Sequence, residues 1–268
     1  YSSAASDVYK RQAKSPSDCF DTALEACRIA VTYRTPVIML SDGYLGNGAE
    51  PWKVPDLAEI PRIDPHFATE PNTTAADGSP RFMPYRRDPQ TLARPWALPG
   101  TKGLEHRVGG LEKSAHTGAI SYDPANHEEM VATRAAKVKG IAKTIPPTAV
   151  DDPSGDADVL VLGWGSAYGP ITAAVRRVRA RGLSIAQAHV RHLNPLPEDL
   201  GDVLRRYRQI VVPEMNTGQF AMLLRSKYLI DVKTISRVRG LPISPVDLCD
   251  ELCRHCGDSK GSDDTREA

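Results

Sequence analysis

The chain has 268 residues and carries 34 lysines and arginines against 33 acidic residues, a net charge of +1. That length allows one large or two ordinary domains, and the even charge gives no long-range pull toward nucleic acid or membrane surfaces. With 41% hydrophobic residues and a mean hydropathy of -0.36, the composition is that of a globular protein. No apolar run approaches the length of a membrane span, and the start lacks a signal-peptide core. Five cysteines, an odd number in a sizeable chain, fit reduced cytoplasmic thiols better than a disulfide framework.

Taken in order, residues 1–12 (YSSAASDVYKRQ) are small, polar and unrelated to the rest of the chain. They resemble translated adapter sequence, so fold reasoning starts at residue 13, and the chain is expected to begin inside a domain. Ser17 or Asp18 can cap a helix from Cys19 to about Tyr33, with Ala23, Cys27, Ala30 and Val31 on one face. Thr35-Pro36 breaks it, and Val37–Leu40 is a short apolar strand ending at Ser41-Asp42-Gly43, where open parallel sheets place ligands. One helix and one strand make no parallel sheet alone; they read as the end of a domain whose earlier strands precede this sequence.

From Pro51 to Pro99 prolines are dense and periodicity is lost, a stretch longer than an ordinary loop and so functional or disordered. Arg81-Phe82-Met83-Pro84-Tyr85-Arg86-Arg87 mixes aromatics with cations. A helix is expected over Glu128–Ile141, and Pro146–Gly155 is a linker.

The rest alternates strand and helix with short connections, the pattern of a parallel α/β sheet. Strands are expected at Val159–Leu162, Leu183–Val190, Ile210–Val212 and Val232–Ile235. Helices are expected around Ile171, Ala174, Val175 and Val178, over Pro197–Arg206, over Gly218–Tyr228 with Phe220, Leu223, Leu224 and Lys227 about the buried face, and from Ser244 onward. Gly182 reads as a left-handed cap, and Gly257–Ala268 as a disordered tail by composition.

Short motifs point to little chemistry. Gly163-x-Gly165-x-x-x-Gly169 is one residue too long for a dinucleotide fingerprint, and no acidic residue closes the next strand, so the glycines are read as close-packing positions. Cys249, Cys253 and Cys256 could hold an iron–sulfur cluster, but they share one helix face with no barrel to follow, so packing is preferred and no metal is assigned. No nucleophile elbow, zinc helix or Walker loop occurs. Glu214 and Asn216, just past a strand, either face a partner or ligand or satisfy turn amides.

Longer stretches carry more. SPSDCFDTALEACRIAVTYRTPVIMLSDGYLG, LARPWALPGTKGLEHRVGG, GAISYDPANHEEMV and VVPEMNTGQFAMLL, in this order, resemble the α subunit of 2-oxoacid:ferredoxin oxidoreductases, most closely the actinobacterial 2-oxoglutarate branch. The resemblance implies an α/β fold in five parts. With residues 1–12 set apart as non-native and 256–268 as a tail by composition, 13–60 would be the end of a pyrimidine-binding domain, 61–155 an irregular connection with active-site loops and one helix, and 156–255 a parallel domain like the transketolase C-terminal domain. It implies oxidative decarboxylation of 2-oxoglutarate to succinyl-CoA, with electrons passing to ferredoxin. Thiamine diphosphate and Mg²⁺ would be shared with a β subunit that alone carries an iron–sulfur cluster, all in the cytoplasm. Arg94, matching the arginine of the family's Pro-Arg-x-x-Pro-Gly segment, and Thr101 would bind substrate. Glu214, Asn216 and Gln219 would face a subunit interface. The family's main cofactor contacts precede this sequence, so no residue here is assigned to the cofactor or to catalysis, and the chain alone is expected to be inactive. The alternatives are a non-catalytic interaction module and an α subunit for pyruvate or branched-chain oxoacids.

Overall fold

The structure, a computed structural model, describes residues 8–261. The chain divides into two units. The first takes the described residues up to Arg11 together with Ala23–Ile38 and Lys53–Thr144; the second takes Gln12–Thr22, Met39–Trp52 and the chain from Ile145. The opening elements are strand β1 (Tyr9–Gln12), helix α1 (Asp18–Tyr33), strand β2 (Val37–Leu40) and helix α2 (Gly43–Asn47).

Residues 9–12, set apart on sequence grounds, are ordered: Tyr9 is buried, and its N–H donates to Pro36. In the second unit Ala13 N–H donates to the Leu40 carbonyl. The end of β2 thus has a main-chain partner that its apolar sequence did not announce, because ladder bonds are made by backbone whatever the side chains. At the start of α1 it is Ser15, not Ser17 or Asp18, whose hydroxyl accepts the Asp18 N–H (3.4 Å). Asp18 is drawn inward instead, accepting the Lys14 N–H at 3.0 Å and pairing with Arg191. The buried face of α1 also differs from expectation. Ile29 and Tyr33 are buried while Ala23 and Cys27 are exposed, since the larger side chains remove more apolar area from water.

In the first unit the proline-rich segment forms only two-residue ladders. Strand β3 (Phe67–Ala68) pairs parallel with a later one at Trp96–Ala97, and β4 (Thr73–Thr74) pairs antiparallel with β5 (Pro80–Arg81). Proline supplies no N–H to extend them. Side chains take over the turns: Asp88 accepts the N–H groups of Gln90 (3.1 Å) and Thr91 (2.7 Å). The Trp96–Ala97 strand is β6, and helix α3 spans Pro124–Ile141. That helix begins four residues before the expected Glu128, because Asp123 caps the Ala125 N–H at 3.0 Å and Pro124 suits the first turn.

The second unit contains the expected α/β layer. Its strands are β7 (Val150–Asp151), β8 (Val159–Trp164), β9 (Ala186–Val190), β10 (His192–Asn194), β11 (Gln209–Glu214) and β12 (Val232–Ser236). The helices are α4 (Tyr168–Ala180), α5 (Leu200–Arg205), α6 (Gln219–Tyr228) and α7 (Pro245–Gly261). The sheet runs β12–β11–β8–β9–β7, parallel throughout except for β7, which lies antiparallel at the edge. Alternate residues of β8 enter opposite cores. Leu160 and Leu162 pack with Leu200, Leu204, Phe220 and Leu224 of α5 and α6. Val159 and Val161 pack with Ile171, Ala174, Val175 and Val178 of α4 and with Leu248 and Leu252 of α7. Covering both faces explains why the strand reads as an unbroken apolar run.

The expected face of α4 is buried in full, and Gly182 ends its turn with φ 80°. A Cβ on Gly163 would come within 2.7 Å of Ile171 Cδ1 and 3.0 Å of His189 Nδ1, so this glycine does permit close helix–strand packing; one on Gly169 would meet nothing. In α6 the buried face is Phe220, Ala221 and Leu224, with Leu223 43% exposed, one position away from the expected stripe. Cys249 and Cys256 are buried in the α4–α7 core. Helix α7 runs to Gly261, into the expected tail, whose remainder (262–268) lies outside the described residues, as do residues 1–7 of the segment set apart at the start.

Candidate functional site

The irregular segment of the first unit builds a cavity of about 600 Å³. Four arginines line it, Arg34, Arg86, Arg87 and Arg94, together with His66 and Asn72. The turn chemistry places them. Asp88 folds the chain back so that the Ala93 carbonyl accepts the Asp88 N–H (3.0 Å), bringing Arg87 near Arg94. Arg94 lies over the ring of Tyr85, 4.5 Å from its centroid, and Arg34 lies over Trp96 at 4.0 Å. Backbone carbonyls orient the others: Arg86 donates to Asn72, Arg87 to Leu92 at 3.0 Å, and Arg34 also to Pro65.

Lys137 of α3 adds a fifth cation, donating to the Arg34 carbonyl at 3.1 Å. Burial, and then Arg87, Arg94, Arg134 and Arg34, push its ammonium down to about 8. Burial likewise lowers Arg34, and burial with Arg94 lowers Arg87. Such a concentration of like charge suits the capture of an anion.

Of the residues expected to bind substrate, Arg94 lines this cavity. Thr101 does not; its N–H closes the turn after Leu98 at 3.1 Å. Arg34, Arg86 and Arg87 join Arg94 there without a sequence motif of their own, the cation–aromatic mix at 81–87 being the one signal along the chain.

At the end of β11, Glu214 is 1% exposed and its two oxygens accept the N–H groups of Phe220 and Ala221, each at 3.0 Å. Asn216 accepts those of Gly218 (2.7 Å) and Gln219 (3.1 Å). Both side chains therefore satisfy amides at the entry to α6. Glu214 offers no surface to a partner, whereas Gln219 is exposed.

A second cavity, of about 430 Å³, lies within the second unit, lined by Lys14, Tyr168, His189, Arg191 and Pro197 among others. Both ring nitrogens of His189 lack a hydrogen-bond partner among the described residues. Burial, then Lys14 and Arg191, push its imidazole down to about 3, so it is neutral at physiological pH.

The described residues do not by themselves fit thiamine diphosphate with its metal. Asp42, at the end of β2, is spent on the Leu45 N–H (3.0 Å) and the Ser166 hydroxyl; Glu50 is spent on Ser15 and Ser17. Among the described residues no group of three His, Cys, Asp or Glu could hold a metal ion.

The parallel sheet wound on both faces, preceded by an arginine-bearing irregular segment, coincides with two matched family regions. Residues 6–121 match the family described as pyruvate flavodoxin/ferredoxin oxidoreductase, thiamine diphosphate-binding, and residues 157–248 match pyruvate:ferredoxin oxidoreductase core domain II. The chain belongs to the α subunits of 2-oxoacid:ferredoxin oxidoreductases. More particularly, it is 54% identical, over 90% of its length and 35% of the relative's, to 2-oxoglutarate oxidoreductase subunit KorA of Mycobacterium tuberculosis. It is 28% identical to the 2-oxoglutarate synthase subunit KorA of Methanothermobacter marburgensis, over 79% of this chain and 54% of that one. A solved structure of 2-oxoglutarate:ferredoxin oxidoreductase from Magnetococcus marinus, with 2-oxoglutarate, coenzyme A and succinyl-CoA bound, superposes with a TM-score of 0.78 at 28% identity. That alignment covers 93% of this chain and 42% of the neighbour's. The chain thus spans between about a third and a half of the length of these relatives.

Proposed function

We propose that this chain is part of the α subunit of a 2-oxoglutarate:ferredoxin oxidoreductase, which decarboxylates 2-oxoglutarate oxidatively to succinyl-CoA and passes electrons to ferredoxin. The observation that carries the reading to residues is Arg94: it lines a cationic cavity and is held by a tyrosine face, its charge uncancelled by any carboxylate among the described residues. A 2-oxoglutarate enzyme must hold a carboxylate that pyruvate lacks, and a guanidinium fork matches it in two parallel hydrogen bonds. Thr101, expected beside it, closes the turn after Leu98 outside this cavity, so the substrate reading rests on Arg94. Similarity to a 2-oxoglutarate subunit at 54% identity favours this substrate over branched-chain oxoacids, whose ketoisovalerate relative from Methanothermobacter thermautotrophicus is 24% identical.

Thiamine diphosphate would supply the carbanion chemistry, shared with Mg²⁺ between the α subunit and a β subunit that carries the iron–sulfur cluster; this chain would bind and orient substrate. Exposed Gln219 and half-exposed Asn216 would lie toward a subunit interface, over the buried Glu214. No described helix is long and apolar enough to cross a membrane. The test is the complete α subunit assembled with its partner: 2-oxoglutarate should reduce ferredoxin in a coenzyme A-dependent reaction, and pyruvate should be a poor substrate. Equal turnover of pyruvate, or none of either oxoacid, would refute the reading, the latter in favour of an interaction module.

A further inference from the structure

Several polar side chains around the cavity of about 430 Å³ in the second unit already have partners. Thr148 donates its N–H and hydroxyl to Asp199 at 2.8 and 2.9 Å, Gln187 donates to the Thr172 hydroxyl at 2.8 Å, and Asp151 pairs with Arg179 at 2.8 Å. Three nitrogen-bearing side chains are not satisfied in this way. His189 meets Tyr168 edge-on, ring centroids 5.0 Å apart, and neither of its shielded nitrogens has a hydrogen-bond partner among the described residues. Arg191 spends one end of its guanidinium on Asp18, while its buried Nε has no such partner either. The Lys14 ammonium lies over the Tyr168 ring, 4.8 Å from its centroid, and makes no ion pair among the described residues. A neutral imidazole has one N–H to offer, a guanidinium Nε has another, and an ammonium donates freely. Buried donors without an acceptor are costly, and the acceptor that relieves all of these together is an oxyanion. The imidazole torsion is broad, so the ring can turn its N–H edge toward that acceptor. Pro146, Pro147, Val150 and Pro197 supply an apolar wall.

We propose that this cavity binds a small carboxylate carried on an apolar body, the carboxylate held by Lys14, His189 and Arg191 and the body laid against the proline wall. The inference goes beyond the reading of the chain as part of a 2-oxoacid enzyme and does not depend on Arg94. Phosphate shares the oxyanion chemistry, but proline and valine side chains offer nothing to a compact, strongly hydrated ion, whereas they remove an alkyl chain from water. The volume is that of a small-molecule site. Because its walls come from the 146–151 segment, the first turns of α4 and the end of β9, an occupant would tie these together and act as an effector that stiffens the sheet domain.

The 268-residue chain, isotope-labelled in its histidines and followed by NMR, is titrated with hexanoate, hexylamine and inorganic phosphate in turn. Hexanoate should bind at one site, about tenfold or more tighter than phosphate, and hexylamine should not bind. The His189 ring signal, identified by its loss in His189→Gln, should shift as hexanoate saturates. Lys14→Met should weaken hexanoate binding about tenfold, while Lys14→Arg, which keeps the charge, should retain most of it. Arg94→Gln should leave it unchanged, since Arg94 lines the other cavity. Hexylamine binding as tightly as hexanoate, phosphate binding tightest, or no binding at all would overturn the inference without any variant having to fold. If Arg94→Gln abolished hexanoate binding and Lys14→Met left it intact, the carboxylate would belong to the cavity of the first unit; this inference would fail and the reading based on Arg94 would stand.

Discussion

The sheet around β8 and the proline-rich stretch around Arg94 hold their shape by opposite means. Val159–Leu162 are at most 1% exposed and join two apolar cores through alternate residues. The stretch from Lys53 to Gly110 has two-residue ladders, aspartate-closed turns and cations stacked on rings. One region draws its stability from apolar area removed from water; the other is held by directed polar contacts that leave charge available. A segment with little core of its own can present like charges together, because its turns are closed locally by hydrogen bonds and not by an apolar core. The apolar scaffold and the cation-bearing irregular stretch are thus separated by the kind of interaction that holds each.

Breaking the first kind of contact should have the largest effect. Leu160→Ala, at a fully buried position on β8, should cost about 2–5 kcal/mol in chemical denaturation, whereas Leu98→Ala, at an exposed position in the irregular stretch, should cost less than about 0.5 kcal/mol. Comparable losses at both would mean that the irregular stretch has a core after all. Arg94→Ala belongs to the second kind: in the assembled enzyme it should raise KM for 2-oxoglutarate by an amount corresponding to about 2–5 kcal/mol if the pair is desolvated. The melting temperature of this chain should hardly move. A stability loss with unchanged kinetics would make Arg94 a structural stack on Tyr85.

Glu214 lies between the two kinds, a polar group inside the scaffold. Glu214→Ala leaves the Phe220 and Ala221 N–H groups unsatisfied and should cost about 1–3 kcal/mol, detectable as a lower denaturation midpoint. Protection should follow the same division: amides of Val159–Leu162 should exchange more slowly than those of Val37–Leu40, where Ile38 and Met39 are 43% and 39% exposed. Equal protection would erase the contrast.

The smallest effect concerns Lys137. Its folded value of about 8 lies below the ordinary 10.5, so between those values the unfolded chain binds more protons. Stability should therefore rise as pH increases from about 8 toward 10.5, by no more than about 1.4 kcal/mol per unit. Lys137→Met should flatten that rise in thermal melts against pH. An unchanged slope would show that Lys137 is not the group responding to the surrounding arginines.

The legibility of each region rests on the same division. The parallel sheet was readable because strand and helix periods are local. Ile171, Ala174, Val175 and Val178 repeat at helical spacing, and each lies in the core as that spacing requires. The face of α1 was misread because a helix with small residues on one side and mixed residues on the other has no unique stripe, and packing selected Ile29 and Tyr33. Arg94 was visible along the chain as a proposed binding residue. Its company was not: Arg34 is 60 residues away, and nothing along the chain shows that a turn at Asp88 and a stack on Trp96 bring them to one cavity.

By itself, the sequence determined the α/β class, the strands of the parallel sheet and the family to which the chain belongs, since periodicity and long ordered motifs survive without coordinates. Tertiary structure alone decided that Glu214 serves the helix after it, that β2 has a neighbour, and that four arginines converge on one cavity. Those are matters of which groups meet across long separations, and chain order does not encode distance.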